Sequence, residues 1–311
     1  LDHNPESCRQ FKLDTFIMTN GQLEKIKNID AEGFKSVVIP ILYKASEGGK
    51  GLENALEELF KNADEAYKQG ANILILSDKG VSREYAPIPA LLAVSALHHH
   101  LIRNCTRTQA SIVLESGEPR EVHHFACLLG YGVSAVNPYL VYSSIIDLIN
   151  AGFLTDITAH EAVKKYIKAV TKGVVKILSK MGISTIQSSQ GAQIFEAVGV
   201  NKSLIDKYFT WTPSRIEGVG LEEIAKETGM RYFKAFDPRA PKSLPLDSGG
   251  QFQWKKDGEY HMYNPETIHK LQVACRTGSY EVFKQYSKLI NEQSHQISTL
   301  RGLLKFKSAT S

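Results

Sequence analysis

Four short runs of apolar, largely β-branched residues return at intervals along the first half of the chain: KSVVIPILY (35–43), NILILSD (72–78), ASIVLES (110–116) and SAVNPYLV (134–141). Their apolar residues are continuous rather than alternating, so strands built from them must be buried on both faces. Between them lie segments with helical spacing. GLENALEELFKNADEAYKQG (51–70) places Leu52, Ala55, Leu56, Leu59 and Phe60 on one stripe, and Gly70 supplies a stop. PIPALLAVSALHHHLIRN (87–104) predicts an apolar helix opened by prolines, EPREVHHFACLLGYG (118–132) a helix with Pro119 near its first turn, and YSSIIDLINAG (142–152) a further helix. Strands of this kind alternating with helices predict a parallel sheet covered by helices, either open and doubly wound or a closed or partial barrel. A chain of 311 residues suffices for one large α/β domain or two small ones.

The second half reads differently. Thr158 and Glu161 form a T-x-x-E capping box, after which Val163, Tyr166, Ile167, Val170, Val174, Leu178 and Met181 share a face of a long helix ending at Gly182. The stretch 183–199 predicts a short strand, a small-polar loop and a short helix, and 220–236 reads as helical. Residues 237–260 are rich in Pro, Gly and charge, as in a linker or extended arm. Asn264 then caps a helix with Pro265 at its first position, whose second half carries Val282, Phe283, Tyr286, Leu289 and Ile290 on one side. That side needs a covering surface.

Composition narrows the function classes. Net charge is only +4, from 37 basic and 33 acidic residues scattered along the chain, which argues against a nucleic-acid footprint. No apolar run approaches the roughly 18 residues of a membrane span. Cys8, Cys105, Cys127 and Cys275 are too far apart for a zinc or iron–sulfur motif, and a reducing compartment is expected. The first residues lack Met and an apolar signal segment, which hints at a processed end or a piece of something larger.

Few residues suggest chemistry directly. His98, His99 and His100 point about 100° apart on a helix and do not converge on one ion; His123 and His124 have the same problem. Gly130-x-Gly132-x-x-Ala135 matches a dinucleotide fingerprint by letters, but it follows a helix and precedes a strand, so a helix stop and tight turn is the better reading. No G-x-S-x-G elbow is present. Glu115, Glu118 and Glu121 line the turn after the 110–116 strand. An anion there would meet backbone amides and up to three carboxylates, with only Arg120 in opposition. Each repulsion at ~6 Å costs about 3 kcal/mol at an effective dielectric of ~20. A helix terminus returns ~0.3–1 kcal/mol, or ~2 at most. The turn therefore has the form of a phosphate cradle without the charge for one.

Several long motifs resemble the central region of the glutamate synthase large subunit and its ferredoxin-dependent counterpart. They are LSDKGVSREYAPIPALLAVSALHHHLIR, REVHHFACLLGYGVSAVNPYL, KMGISTIQSSQGAQIFEAVGV and TPSRIEGVGLEEIA, followed by EYHMYNPETIHKLQ and LRGLLKFK. The resemblance implies a degenerate or incomplete (β/α) barrel related to the FMN-binding barrel, with parallel strands, covering helices and a C-terminal helical tail. It also implies boundaries: a central α/β domain over 1–236, a linker over 237–263, and a helical segment over 264–311 leading toward the FMN domain. In such enzymes a glutaminase domain releases ammonia, and an FMN domain with a 3Fe-4S cluster uses it to make glutamate from glutamine and 2-oxoglutarate. Leu1 stands where the glutaminase nucleophile would be, and no cluster cysteines are present.

The piece is accordingly expected to be inactive in isolation and to bind no cofactor. Its partners would be the glutaminase and FMN domains of the same polypeptide, or other copies of itself, in the cytoplasm or, in a plant or alga, the plastid. It would contribute wall to an ammonia tunnel. Small polar side chains suit that role, because a nearby carboxylate favours ammonium over ammonia. Ser77, Asp78, Ser188, Ser189, Gln190 and Gln193 are the candidates for the tunnel wall or the domain interface, with ordinary turn and cap duties as the alternative for each. Two other readings stay open. One is a stand-alone barrel lyase or flavoprotein working at Asp78, Glu115 and Asn137; the other is a pure interaction scaffold.

Overall fold

The computed structural model describes residues 10–237, 249–292, 304 and 307. Cys8, part of the linker and the end of the final segment, apart from residues 304 and 307, lie outside the described residues. The chain divides into two units, Leu1–Pro238 and Arg239–Ser311.

In the first unit the four apolar runs become four parallel strands, β1 (Ser36–Pro40), β3 (Ile73–Ser77), β5 (Ser111–Glu115) and β6 (Ala135–Asn137). They lie in that spatial order, with Ile39 opposite Leu76, Leu76 opposite Leu114, and Leu114 opposite Val136. A further rung flanks β6: Ile17 bridges Val136 in parallel, with Met18 N–H donating to Val136 O at 2.8 Å and Val136 N–H to Phe16 O at 2.8 Å. The first segment in the chain thus sits beside the last strand, while β1 forms the opposite edge. Helix α1 (Asn20–Lys27) connects these two edges.

Both sheet faces are apolar because successive side chains alternate sides. Ile39, Leu74, Leu76, Ile112, Leu114 and Val136 face the larger core, with α2 (Gly48–Lys68) and α3 (Ala90–Arg103). Ile73, Ile75, Val113 and Ala135 face a smaller cluster completed by Met18, Leu23 and Ile26 of α1 and its approach. Val38, on the same alternation as Ile75, is 43% exposed, so α1 does not cover this face to its edge. Helices α4 (Val122–Gly130), α5 (Tyr139–Asn150) and α6 (Ala159–Lys180) follow. The capping box of α6 forms as its sequence predicts: Glu161 N–H donates to Thr158 Oγ1 at 3.3 Å and Thr158 N–H to Glu161 Oε2 at 3.1 Å.

Several expectations are corrected. The 35–43 run breaks after Pro40; β2 (Leu42–Lys44) pairs antiparallel with β4 (Tyr85–Pro87). The 118–132 helix begins only at Val122, because side chains hold the amides ahead of it: Asp78 that of Gly117, Ser116 that of Glu118, and His124 those of Arg120 and Glu121. Within 183–199 the order is reversed, a short helix α7 (Ile186–Ser189) preceding β7 (Ala197–Val200). Strand β7 pairs with β8 (Ser214–Val219), with α8 (Lys202–Tyr208) between them in sequence, and α9 (Leu221–Phe236) closes the unit. In the second unit the helix after Asn264 is two, α10 (Pro265–Thr277) and α11 (Tyr280–Glu292), parted by Gly278 at φ 66°. Tyr280 and Phe283 of α11 are exposed.

Candidate functional site

Parallel strands that share a register also end together, and here Ser77, Glu115 and Asn137 lie abreast at the C-terminal edge. Loops leaving such an edge commonly carry ligand sites in α/β sheets. This edge holds a dense polar network. Glu115 is 1% exposed; its Oε2 accepts from Ser77 Oγ at 2.6 Å, and its Oε1 from Lys27 Nζ at 2.9 Å and Lys79 Nζ at 2.8 Å. Burial alone would raise the Glu115 pKa, but donation from Lys79, Ser77 and Lys27 together holds it below the ordinary carboxylate value. Asp78, also buried, accepts from Ser116 Oγ at 2.6 Å, Gly117 N–H at 2.9 Å and Tyr139 O–H at 2.7 Å. Burial first, then the bond to Asp78 and the charges of Asp78 and Glu115, push the Tyr139 phenol well above its usual value, so it stays a donor.

Asn137 ties the edge to the first rung. Its Nδ2 donates to Met18 O at 2.9 Å and Asn20 Oδ1 at 3.0 Å, while its buried Oδ1 has no partner among the described residues. Glu118 turns Oε2 onto Ala90 N–H, 2.6 Å away at the start of α3. Glu222 does the same for α2, accepting from Gly49 N–H at 3.0 Å. Backbone donors at this end of the fold are thus taken by carboxylates of the chain itself. His124 Nδ1 accepts from Arg120 N–H at 3.1 Å and Glu121 N–H at 3.2 Å ahead of α4.

The sequence count of charges needs amending. It set Arg120 alone against three carboxylates, whereas the fold also brings Lys27 and Lys79 onto Glu115. Lys27 lies 88 residues from Glu115 in sequence, in a helix too short for its periodicity to stand out. Tyr139 carried a usable signal, since it follows a strand-ending Asn-Pro.

The six candidate residues fall into two groups that the structure does not bring together. Ser77 and Asp78 belong to the C-terminal edge. Ser188, Ser189 and Gln190 sit on or just after α7, where Thr185 caps Ser188 N–H at 3.3 Å and Ser189 Oγ donates to Ile186 O at 2.7 Å. Gln190 Nε2 donates to Val133 O at 3.1 Å, ahead of β6 and so toward the opposite edge of the sheet. Gln193 adopts φ 56°, in the left-handed region.

The histidines part company as their helical spacing predicts. His98 Nδ1 accepts from Arg107 Nε at 2.9 Å, His99 Nδ1 lies 2.8 Å from Ser95 O, and His100 meets Asp64 at 3.0 Å while stacking on Phe60. Among the described residues no group of three or more His, Cys, Asp or Glu side chains is arranged to hold a metal. Cys127 lies 3.5 Å from His123, but burial pushes its thiol up to about 11, which disfavours a thiolate. Among the described residues no helix is long and apolar enough to cross a membrane.

These features define a helix-covered parallel α/β domain whose strand-end donors and carboxylates satisfy one another. The glutamate synthase central domain family matches residues 1–201, and the chain belongs to that family. Glutamate synthase (NADPH) large chain of Bacillus subtilis is 47% identical over 306 residues, 98% of this chain and 20% of the relative. Glutamate synthase (NADH) of Schizosaccharomyces pombe is 37% identical over 98% of this chain and 15% of its own length. The chloroplastic ferredoxin-dependent glutamate synthase of Spinacia oleracea is 38% identical over 99% and 19%. The chain therefore spans 15% to 20% of the length of these relatives. A solved structure of DHODH with ferulenol from Eimeria tenella aligns over 45% of this chain and 35% of its own, at 19% identity and TM-score 0.31.

Proposed function

We propose that this domain is a cofactor-free spacer of a glutamate synthase, joining a glutaminase domain to an FMN domain and lending wall to the ammonia path between them. The observation that carries the reading is the occupation of anion-type donors by the chain's own carboxylates: Asp78 on Gly117 N–H, Glu118 on Ala90 N–H and Glu222 on Gly49 N–H. A flavin phosphate at this edge would have to displace carboxylates, Asp78 buried and Glu118 and Glu222 exposed, that already accept from the amides it needs. A barrel ancestry is supported by the strand path. The strands follow chain order and the last pairs with the first, as in a ring, with one seam between the first rung and β1. On this reading the domain has no activity of its own, and glutamate formation from glutamine and 2-oxoglutarate belongs to its neighbours.

The direct test is titration of FMN into the pure chain. No saturable quenching of flavin fluorescence is expected; micromolar binding would overturn the spacer reading in favour of a flavoprotein. The conduit is tested in the full-length polypeptide by Ser188→Leu and Gln190→Leu, which should let glutaminase turnover outrun glutamate formation. Complete coupling in both variants would leave an interaction scaffold without a tunnel role.

A further inference from the structure

At the opposite, N-terminal edge of the sheet lies a cavity of about 940 Å³. Its floor includes Ile73, Val113 and Ala135 from the strands, with Ile26 and Phe34 beside them. Arg107, which lines it, is anchored on three sides. Nε donates to His98 Nδ1 at 2.9 Å, Nη1 to Ala110 O at 2.8 Å and Nη2 to Gly132 O at 2.7 Å. All three acceptors are neutral. The bond to Nδ1 places the His98 proton on Nε2, and burial, followed by the charges of Arg107 and His99, pushes His98 down to about 3. Burial lowers the Arg107 pKa as well, with no carboxylate acting against it.

One N–H on each Nη therefore remains without a partner among the described residues. Arg107 is partly buried, and guanidinium groups withdrawn from water are commonly matched by a carboxylate or phosphate. Among the described lining residues Asp14 is the sole carboxylate; it is exposed and forms no ion pair with Arg107. The hydroxyls of Ser111 and Ser134, at the starts of neighbouring strands, also line the cavity without a hydrogen-bond partner among the described residues.

We propose that this cavity binds a small monocarboxylate with an apolar body, its carboxylate on Arg107 and the nearby serine hydroxyls, its body on the floor of Ile73, Val113 and Ala135. Arg107 is the single cation among the described lining residues, which favours one negative charge, since a dianion would leave its second charge unmatched. The apolar floor favours a hydrocarbon body over a sugar or a bare inorganic ion. Gln190, one of the residues offered for the ammonia path, also lines this cavity, but the inference rests on Arg107 and the strand floor rather than on that path.

The test uses the whole 311-residue chain, with phenylacetate as probe and phenylacetamide as its neutral counterpart. Calorimetry should show saturable binding of the acid and affinity for the amide weaker by on the order of tenfold or more. Arg107→Gln should abolish binding of the acid. Because Arg107 also braces His98 and two carbonyls, a second measurement leaves the fold intact: in chain labelled with nitrogen-15 arginine, one side-chain resonance should move in step with the calorimetric saturation. Equal affinity for acid and amide, no saturable heat with the acid, or no arginine resonance that moves would each overturn the proposal.

Discussion

The two edges of one parallel sheet have opposite polar economies. At the C-terminal edge, Glu115 and Asp78 are surrounded by donors, among them two lysines, two serines, a tyrosine and a backbone amide. At the N-terminal edge, Arg107 leans on neutral acceptors and faces open volume. The first edge is where an α/β fold usually keeps its ligands, and in this chain it is filled from within. The contrast shows that strand polarity positions loops, while the local match of donors to acceptors decides whether a position remains free.

The largest effect should come from the filled edge. Glu115→Ala removes the common partner of Lys27, Lys79 and Ser77 and should cost about 3 kcal/mol or more in urea unfolding. A loss below about 1 kcal/mol would mean that the lysines simply swing to water and the network contributes little. On the other edge, Gly132 stands at φ 108°, and a Cβ there would lie 2.2 Å from His98 Nδ1. Gly132→Ala should therefore cost about 2 kcal/mol or more, from backbone strain and displacement of the His98–Arg107 pair. Tyr139→Phe leaves Asp78 Oδ1 short of a donor and should cost about 1–2 kcal/mol. A neutral result would show water taking the place of the phenol.

Acid separates the edges by pH. His98 titrates lower in the fold than in the unfolded chain, so stability should fall as pH drops from its ordinary value near 6.5 toward about 3. The contribution of Glu115, whose pKa is depressed, is present above its ordinary value of 4.5 and is lost as pH falls through the folded value. Thermal melts between pH 6.5 and 4.5 should thus report the histidine edge first. His98→Gln should reduce that upper slope, leaving the share of His99, whose pKa burial also lowers, and should leave the lower slope unchanged.

The strands of the main sheet were legible because burial on both faces demands unbroken apolar runs, and 72–78 and 110–116 became β3 and β5 with only their ends trimmed. The β7–β8 pair was not, since Val198 and Ile216 are largely exposed and Gly199 and Gly218 interrupt any pattern. Helix α1 was missed because eight residues hold too few turns for a period to emerge. At the site, Asp78, Glu115 and Asn137 could be placed at strand ends from sequence, but Lys27 could not, as its approach to Glu115 depends on how α1 crosses the sheet. The break at Gly278 was legible in principle, since a left-handed stop between two helices favours glycine.

The pairing of Ile17 with Val136 imposes an order on synthesis. At the usual ~5–20 residues per second, residue 136 emerges roughly 6–24 s after residue 17. During that interval the earliest rung of the sheet has no neighbour of its own to bond, although β1, β3 and β5 are already available to one another. The nascent sheet must therefore grow from its β1 edge and accept its oldest segment last, and a ribosome stalled before residue 136 would hold a chain whose first rung is still unclaimed.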